Sequence, residues 1–379
     1  MNILILSWRD PKHPLAGGAE QSVWEHAKGW HDAGNRVTWF SSRFRGSVAT
    51  ENIDGIKIVR NGYQYLGVQV AAVSYYFRNI KNIDLVIDQF HGIPFFTPLY
   101  VKKPILALIQ EVAGKVWLLN PLPFPINFII GAIGLIFEPF IFLMYRNIQF
   151  MTGSKSAKVE VSKFGIPLKN ITIVPHGVIL PSPLPRHRSY ILNRKSFVVT
   201  YLGTLAKDKG IEDAIECFSL LNKTGDYNFW VIGKPETDDY FEKIKSKISG
   251  LGLNGKVKLW GRVSEEKKFE LLSKSHVLVN PSAHEGWGLV NIEANAVGTP
   301  VVAYKSSGLV DSVKHGESGI FVRDNTPLGL FNSVNEILKS DSRYRRLCNT
   351  SKKWVKNFEW RISRKLSLKV VEGRNQNIG

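Results

Sequence analysis

His284-Glu285-Gly286-Trp287-Gly288-Leu289-Val290-Asn291-Ile292-Glu293-Ala294, followed by Gly298-Thr299-Pro300-Val301-Val302, is the stretch on which the fold turns. His276-Val277-Leu278-Val279-Asn280-Pro281 before it reads as a short buried strand ending in a turn. A helix is expected to begin after Gly288. Gly298 and Pro300 should stop it, the first as a left-handed cap and the second as a breaker. Gly286 and Gly288 remove side chains where loop meets helix, so backbone N–H groups and the positive end of the helix dipole are exposed to an anion such as a phosphate. Glu293 lies one turn inside, flanked at helical spacing by Leu289, Val290, Ala296 and Val297. A carboxylate on such an apolar face needs hydrogen-bond donors, and the hydroxyls of a ribose would supply them. Glu285, in the loop, is placed to meet the other end of the same ligand.

Working outward, residues 2–8 and Val37–Ser41 are apolar runs with a helical pattern from about Ala19 to Ala33 between them. This βαβ unit implies a parallel sheet. The loop after its first strand, Trp8 to Gly18, is long and ends in Gly17-Gly18. Ligands of such sheets bind at the carboxyl ends of strands, and paired glycines let a substrate approach the backbone. Further strands are predicted at Ile56–Val59, Leu85–Asp88 and Ile105–Ile109. The last two lead into Asp88-Gln89-Phe90-His91-Gly92 and Gln110-Glu111 on the same edge. A second run of βα signals starts at Phe197–Leu202. It continues through Gly203-Thr204-Leu205-Ala206-Lys207-Asp208-Lys209-Gly210 into a helix, where the helix dipole would repel Lys209 unless an anion lies nearby.

Glu285 and Glu293 form a Glu-x7-Glu pair inside Glu-Gly-x-Gly-Leu-Val-x-x-Glu-Ala, with Gly-Thr-Pro-Val-Val following. This run closely resembles the donor site of glycosyltransferase family 4, retaining enzymes of the GT-B fold. His13-Pro14-x-Ala16-Gly17-Gly18-Ala19-Glu20 is similar to the first loop of many members, and Lys209-Gly210 matches the lysine of the family segment that grips the donor pyrophosphate. The resemblance implies an α/β GT-B chain of two Rossmann-like domains with parallel sheets facing across a cleft. It implies sugar transfer, with retention, from a nucleotide diphosphate donor to a hydroxyl acceptor. Glu285, Lys209, Glu111 and His91 would form the catalytic side. Glu293, Gly286, Trp287, Gly288, Leu289, Gly203, Thr204 and Arg262 would bind the nucleotide sugar, and Gly17, Gly18 and Gln110 would face the acceptor. The chain departs from the family in three places. Thr204 stands at an arginine position, leaving Lys207 or Arg262 to compensate. Gln110-Glu111 replaces His-Asp or His-Glu, and His176-Gly177-Val178 stands where Asn-Gly is common. These departures leave open a second reading, a non-catalytic nucleotide-sugar binder.

With 379 residues and 44% hydrophobic composition, the chain has material for two ordinary domains. They are expected at 1–180 and 196–354, joined by a Pro-, Arg- and Ser-rich linker at 181–195, with a last helix at about 355–379 returning to the first. Cys217 and Cys348 have no metal-ligand spacing, and no Asp-x-Asp motif is present, so no metal and no other cofactor is expected. Met1 to Leu6 lacks the basic start and cleavage site of a signal peptide, which points to the cytoplasm. The net charge of +18 calls for an anionic partner; the segment from Lys339 onward carries twelve basic residues against three acidic. Nucleic acid is the weakest choice, because no zinc spacing or RNA-binding aromatic motif accompanies the charge. Phe124–Met144 is almost entirely apolar, with Glu138 its only charge. A span there would separate Gly17-Gly18 from Glu285 across a bilayer, so two readings stand: a buried helix pair, or a patch dipping into an anionic membrane interface. The second makes the acceptor lipid-linked and the protein peripheral on the cytoplasmic face. The first leaves a soluble acceptor.

Overall fold

The computed structural model describes residues 1–373 apart from residues 65, 91–92, 121 and 186–195. His91 and most of the expected linker therefore lie outside the described residues. The chain forms two compact units. One comprises Met1–Gly114, Ala132–Gly177 and Trp360–Gly379, and the other Lys115–Gly131 and Val178–Glu359.

The first unit is built on an eight-stranded sheet of β1 (Asn2–Leu6), β2 (Arg36–Ser41), β3 (Thr50–Ile53), β4 (Ile56–Arg60), β5 (Leu85–Phe90), β6 (Ile105–Ile109), β7 (Gln149–Thr152) and β8 (Ile171–Ile173). Its order is β3-β4-β2-β1-β5-β6-β7-β8, parallel throughout except where β3 runs against β4. That hairpin was not anticipated. Its turn is Asp54-Gly55, both with positive φ, the backbone a two-residue hairpin demands. Helices α1 (Gly18–Asp32), α2 (Leu66–Asn79) and α4 (Lys155–Lys163) connect the strands, as does α3 (Ile126–Met144), which belongs to this unit from Ala132 onward. β5 and β6 are buried along their whole length, as expected of parallel strands covered on both faces.

The second unit has six parallel strands: β9 (Phe197–Leu202), β10 (Tyr227–Ile232), β11 (Val257–Gly261), β12 (Val277–Asn280), β13 (Val301–Ala303) and β14 (Gly319–Phe321). Their order is β11-β10-β9-β12-β13-β14. Its helices are α5 (Ile211–Asn222), α6 (Asp238–Gly250), α7 (Glu265–Lys274), α8 (Leu289–Val297), α9 (Leu309–Ser312), α10 (Pro327–Lys339) and α11 (Asp341–Val355). Gly298 caps α8 in the left-handed conformation at φ 92°. The final helix, α12 (Trp360–Glu372), packs on α1 within the first unit. There Arg364 pairs with Glu25, and Trp360 meets the edge of His26 at 5.5 Å.

The apolar segment 124–144 does not form a buried helix pair. It forms the single helix α3, with Pro139 inside it, between β6 and β7. Only its inner side is covered: Phe142 packs against Phe90 at 5.7 Å and Phe150 at 6.2 Å. Glu138 is buried and accepts hydrogen bonds from the N–H groups of Ala113 (3.0 Å) and Gly114 (2.9 Å). A sequence pattern cannot separate this arrangement from a core helix, because the outward face is as apolar as the inward one.

α12 starts against the backbone at Gly177, where a Cβ would lie 2.4 Å from the amide nitrogen of Trp360. Gly177→Ala should therefore overpack the joint and destabilise the fold by about 1–3 kcal/mol, read as a lowered thermal midpoint by circular dichroism.

Candidate active site

In an open parallel sheet a crevice forms where strand order reverses, at the carboxyl ends of the strands. In the second unit the reversal lies between β9 and β12. The two loops that leave these strands are Gly203–Gly210 and Pro281–Gly288, and they are joined by backbone. Asp208 O accepts from Ala283 N at 2.9 Å, and Gly210 has φ 70° with Pro281 O only 2.2 Å from where a Cβ would stand. The loop after β13 closes the group. Glu285 N donates to Ser307 O at 3.2 Å, Ser306 Oγ donates to Ser282 O at 2.7 Å, and a Cβ on Gly308 would lie 2.0 Å from Glu285 O. Under the first loop, the buried Tyr201 hydroxyl donates to Thr204 O at 2.8 Å.

This scaffold brings Lys209 and Glu285 together. The Lys209 ammonium stands 3.3 Å from both the Glu285 and Asp208 carboxylates and 3.3 Å from His284 O. The groups are partly exposed, so the pairs add about 0–1 kcal/mol to stability. Their consequence is orientation: a cation is held at the mouth of a crevice. Gly288, at φ 83°, is the N-cap of α8. The amides of Leu289 and Val290 follow it, first-turn groups without an intrahelical acceptor. Asn291, just inside, is locked by Asn280 and Ser312, each at 2.9 Å. Trp287 is placed differently from the expectation. Its indole is buried and packs edge-on against Phe358 at 5.2 Å, so only its backbone faces the loop. Thr204 is exposed beside Lys209. Arg262 is exposed just past β11, two strands from β9, about 10 Å away at ordinary strand spacing.

Glu293 does not stand alone on an apolar face. Lys268, on α7, donates to Glu293 Oε1 at 2.7 Å and to both oxygens of Glu265 at 2.8 and 2.9 Å. Burial raises the Glu293 carboxyl above its ordinary value, and the Lys268 cation pulls it back. Burial also opposes the Lys268 charge, but Glu293 and Glu265 outweigh it and raise that ammonium. Among the described residues, no group of three His, Cys, Asp or Glu side chains is placed to hold a metal ion.

In the first unit the corresponding reversal lies between β1 and β5. Gly17 and Gly18 are exposed after the β1 loop. Gly17 is the N-cap of α1, and its N–H donates to Glu20 Oε2 at 2.8 Å. Behind Gly17, Asp10 is buried and bound by two nitrogens of Arg60 at 2.6 and 2.8 Å, which braces the loop. Glu111 is half-buried after β6. Gln110 is turned inward: its Oε1 lies 2.5 Å from His176 Nε2, its Nε2 donates to Ser22 Oγ at 3.3 Å, and Ser22 Oγ lies 2.8 Å from His176 Nδ1. The three bonds, which close a ring, require His176 to carry a proton on Nε2, and burial favours the neutral imidazole. The Gln110 amide is thus committed to this ring, not offered to an acceptor.

Against known proteins, residues 186–354 match the family model described as glycosyl transferases group 1. That segment is similar to group 1 glycosyl transferases. Glycosyltransferase MJ1607 of Methanocaldococcus jannaschii, itself uncharacterized, is 29% identical over 228 residues, 57% of each chain. The chain spans about half the length of the curated relatives it matches. Among solved structures, the sucrose-phosphate synthase of Thermosynechococcus elongatus superposes with TM-score 0.83 at 20% identity, covering 100% of this chain and 99% of that one. Anabaena Alr3699/HepE in complex with UDP-glucose superposes with TM-score 0.72 at 17% identity, covering 98% and 100%. At these identities the likeness shows the fold, and the fold is GT-B.

Within the second unit the structure brings Lys209, Glu285, Gly288 and Leu289 to one edge of the sheet and adds three residues that sequence reasoning missed. Asp208 and Lys268 are two of them; the third is Glu236, whose carboxyl burial raises beside the Asp208 charge. Glu265 and Lys268 carried a signal, but an acid–base pair three residues apart reads as an ordinary solvated helix face.

The histidines of the first unit supply a stability test. Burial lowers His176 to about 4. Burial, with the neighbouring His176 and Arg364, lowers His26 to about 3. The unfolded chain protonates both near the ordinary histidine value, so it binds more protons than the folded chain below pH 6.5, and stability falls as pH falls. Urea unfolding at pH 7 and pH 5 should show a loss of about 2 kcal/mol per histidine. In His26→Phe the loss should be about half as large.

Proposed function

We propose that this chain is a retaining glycosyltransferase that moves a sugar from a nucleotide diphosphate donor to a hydroxyl acceptor. The observation that carries the reading is the convergence of Lys209, Glu285 and the N-terminus of α8 at the β9/β12 reversal. The departing pyrophosphate develops negative charge, and stabilising that charge matters more to the barrier than any nucleophile. Lys209 and the first-turn amides of α8 supply it, so the transfer needs no metal ion. Thr204 adds no charge, which places more of the load on Lys209. Glu293 holds the ribose hydroxyls and Glu285 orients the donor sugar. UDP-glucose in the Alr3699/HepE complex is bound by a protein of the same fold, which supports a nucleotide sugar as the donor. Glu111 and the Gly17-Gly18 loop serve the acceptor. That acceptor is lipid-linked and glycan-building, handled at the cytoplasmic face of a membrane; the exposed α3 and the net charge of +18 support this part.

The deciding measurement is transfer of labelled sugar from UDP-, GDP- and ADP-sugars into a lipid extract, with EDTA present. Wild type should carry label into the organic phase. Lys209→Met should lower the rate about 10²- to 10³-fold. Nucleotide bound without transfer or hydrolysis of any donor would overturn the enzyme reading in favour of a binding protein. Lys268 gives a second test. It favours the ionised Glu293 that would accept from the ribose, so Lys268→Met should make UDP affinity more sensitive to falling pH than it is in wild type. Glu293→Ala should weaken UDP about 10- to 100-fold at every pH. Dideoxy-UDP, which lacks the hydroxyls, should respond to neither change.

A further inference from the structure

We propose that α3 is a docking helix for an anionic lipid bilayer, lying in the interfacial layer on its outer stripe without crossing the membrane. The docking is independent of the transfer reading and extends it by naming the surface through which a membrane-held acceptor would be met. Ile129, Ile133, Ile136, Phe140 and Leu143 recur at alternating spacings of four and three, and they are 51–62% exposed. Such spacing makes one continuous ridge on a helix. A soluble surface rarely leaves a patch of this kind without a partner.

Packing opposes crossing. α3 connects the neighbouring strands β6 and β7, and Phe142 and Glu138 on its inner side are buried within the same unit. A helix covered by protein along one side cannot be surrounded by lipid. Glu138 accepts two backbone hydrogen bonds from Ala113 and Gly114, so its charge is turned away from the outer ridge and tied to the loop that follows Glu111.

Two observations favour lipid over a second copy of the chain. A helix–helix seam is normally flanked by charged side chains that set register. Here the only charge on α3 is the buried Glu138, and Pro139 stands beside it inside the helix. At the carboxyl end of α3 the margin is cationic. Arg146 follows the helix, and its carbonyl accepts from Asn170 at 3.4 Å, next to Lys169. Phe164 packs on Phe142 at 4.7 Å, next to Lys163. Arg146, Lys163 and Lys169 are all exposed. An apolar ridge beside a basic margin matches the acyl and headgroup layers of an anionic membrane.

The test is flotation at low salt with phosphatidylcholine vesicles containing one quarter phosphatidylglycerol, and with phosphatidylcholine alone. Wild type should rise with the anionic vesicles and be released by alkaline carbonate. Ile136→Glu with Phe140→Glu should abolish flotation while keeping the wild-type circular dichroism and thermal transition. Arg146→Gln with Lys163→Gln and Lys169→Gln should weaken binding to anionic vesicles on the order of a hundredfold, about fivefold per cation, without altering the response to phosphatidylcholine. A wild type that stays in solution, or a double variant that floats as well as wild type, overturns the proposal. So does resistance to carbonate, which would mean a span. So does a wild-type dimer that the double variant converts to monomer without any flotation, which would make a second copy the occupant. Flotation without sugar transfer leaves docking standing and removes the transfer reading; transfer without flotation does the opposite.

Discussion

The candidate site depends on a backbone constraint: three loops at one edge of the second sheet approach so closely that two positions admit no side chain. A Cβ on Gly210 would meet Pro281 O, and one on Gly308 would meet Glu285 O. Both glycines also hold a positive φ. These contacts, with the hydrogen bond from Ala283 N to Asp208 O, set where Lys209 and Glu285 can stand. The ion pair between those side chains is weak in itself. It is kept in place because the loops beneath it cannot move independently.

A second pattern is the pairing of buried or half-buried charges with identified partners. Asp10 has Arg60, Glu293 has Lys268, and Glu138 has two backbone amides. A buried charge is tolerated only with such compensation. The first braces the β1 loop, the second joins α7 to α8, and the third ties α3 to the loop after β6. The net charge of +18 is spread differently, over exposed lysines and arginines, and belongs to the surface.

Much of this was legible in the chain. Gly288 and Gly298 bracket α8 because a glycine before a helical pattern and a Gly-x-Pro after it have few other uses. Lys209, placed before a helix whose dipole repels a cation, pointed to an anion-binding edge. Strand positions followed from apolar runs, as for β6 and β9. Less legible were residues whose meaning depends on distant partners. Trp287 sits within the glycine-rich motif yet packs on Phe358. Gln110 ends a strand yet closes a ring with Ser22 and His176.

Local pattern by itself determined the α/β class, the two runs of βα units and the loop edges, because strand and helix periodicities and turn residues act over a few positions. Tertiary structure alone decided that Lys268 neutralises Glu293, that β9 and β12 are neighbours, and that α3 shows its apolar ridge to solvent. Each of these joins residues far apart in the chain or depends on which face of an all-apolar helix meets the core. Neither spacing nor composition contains that information.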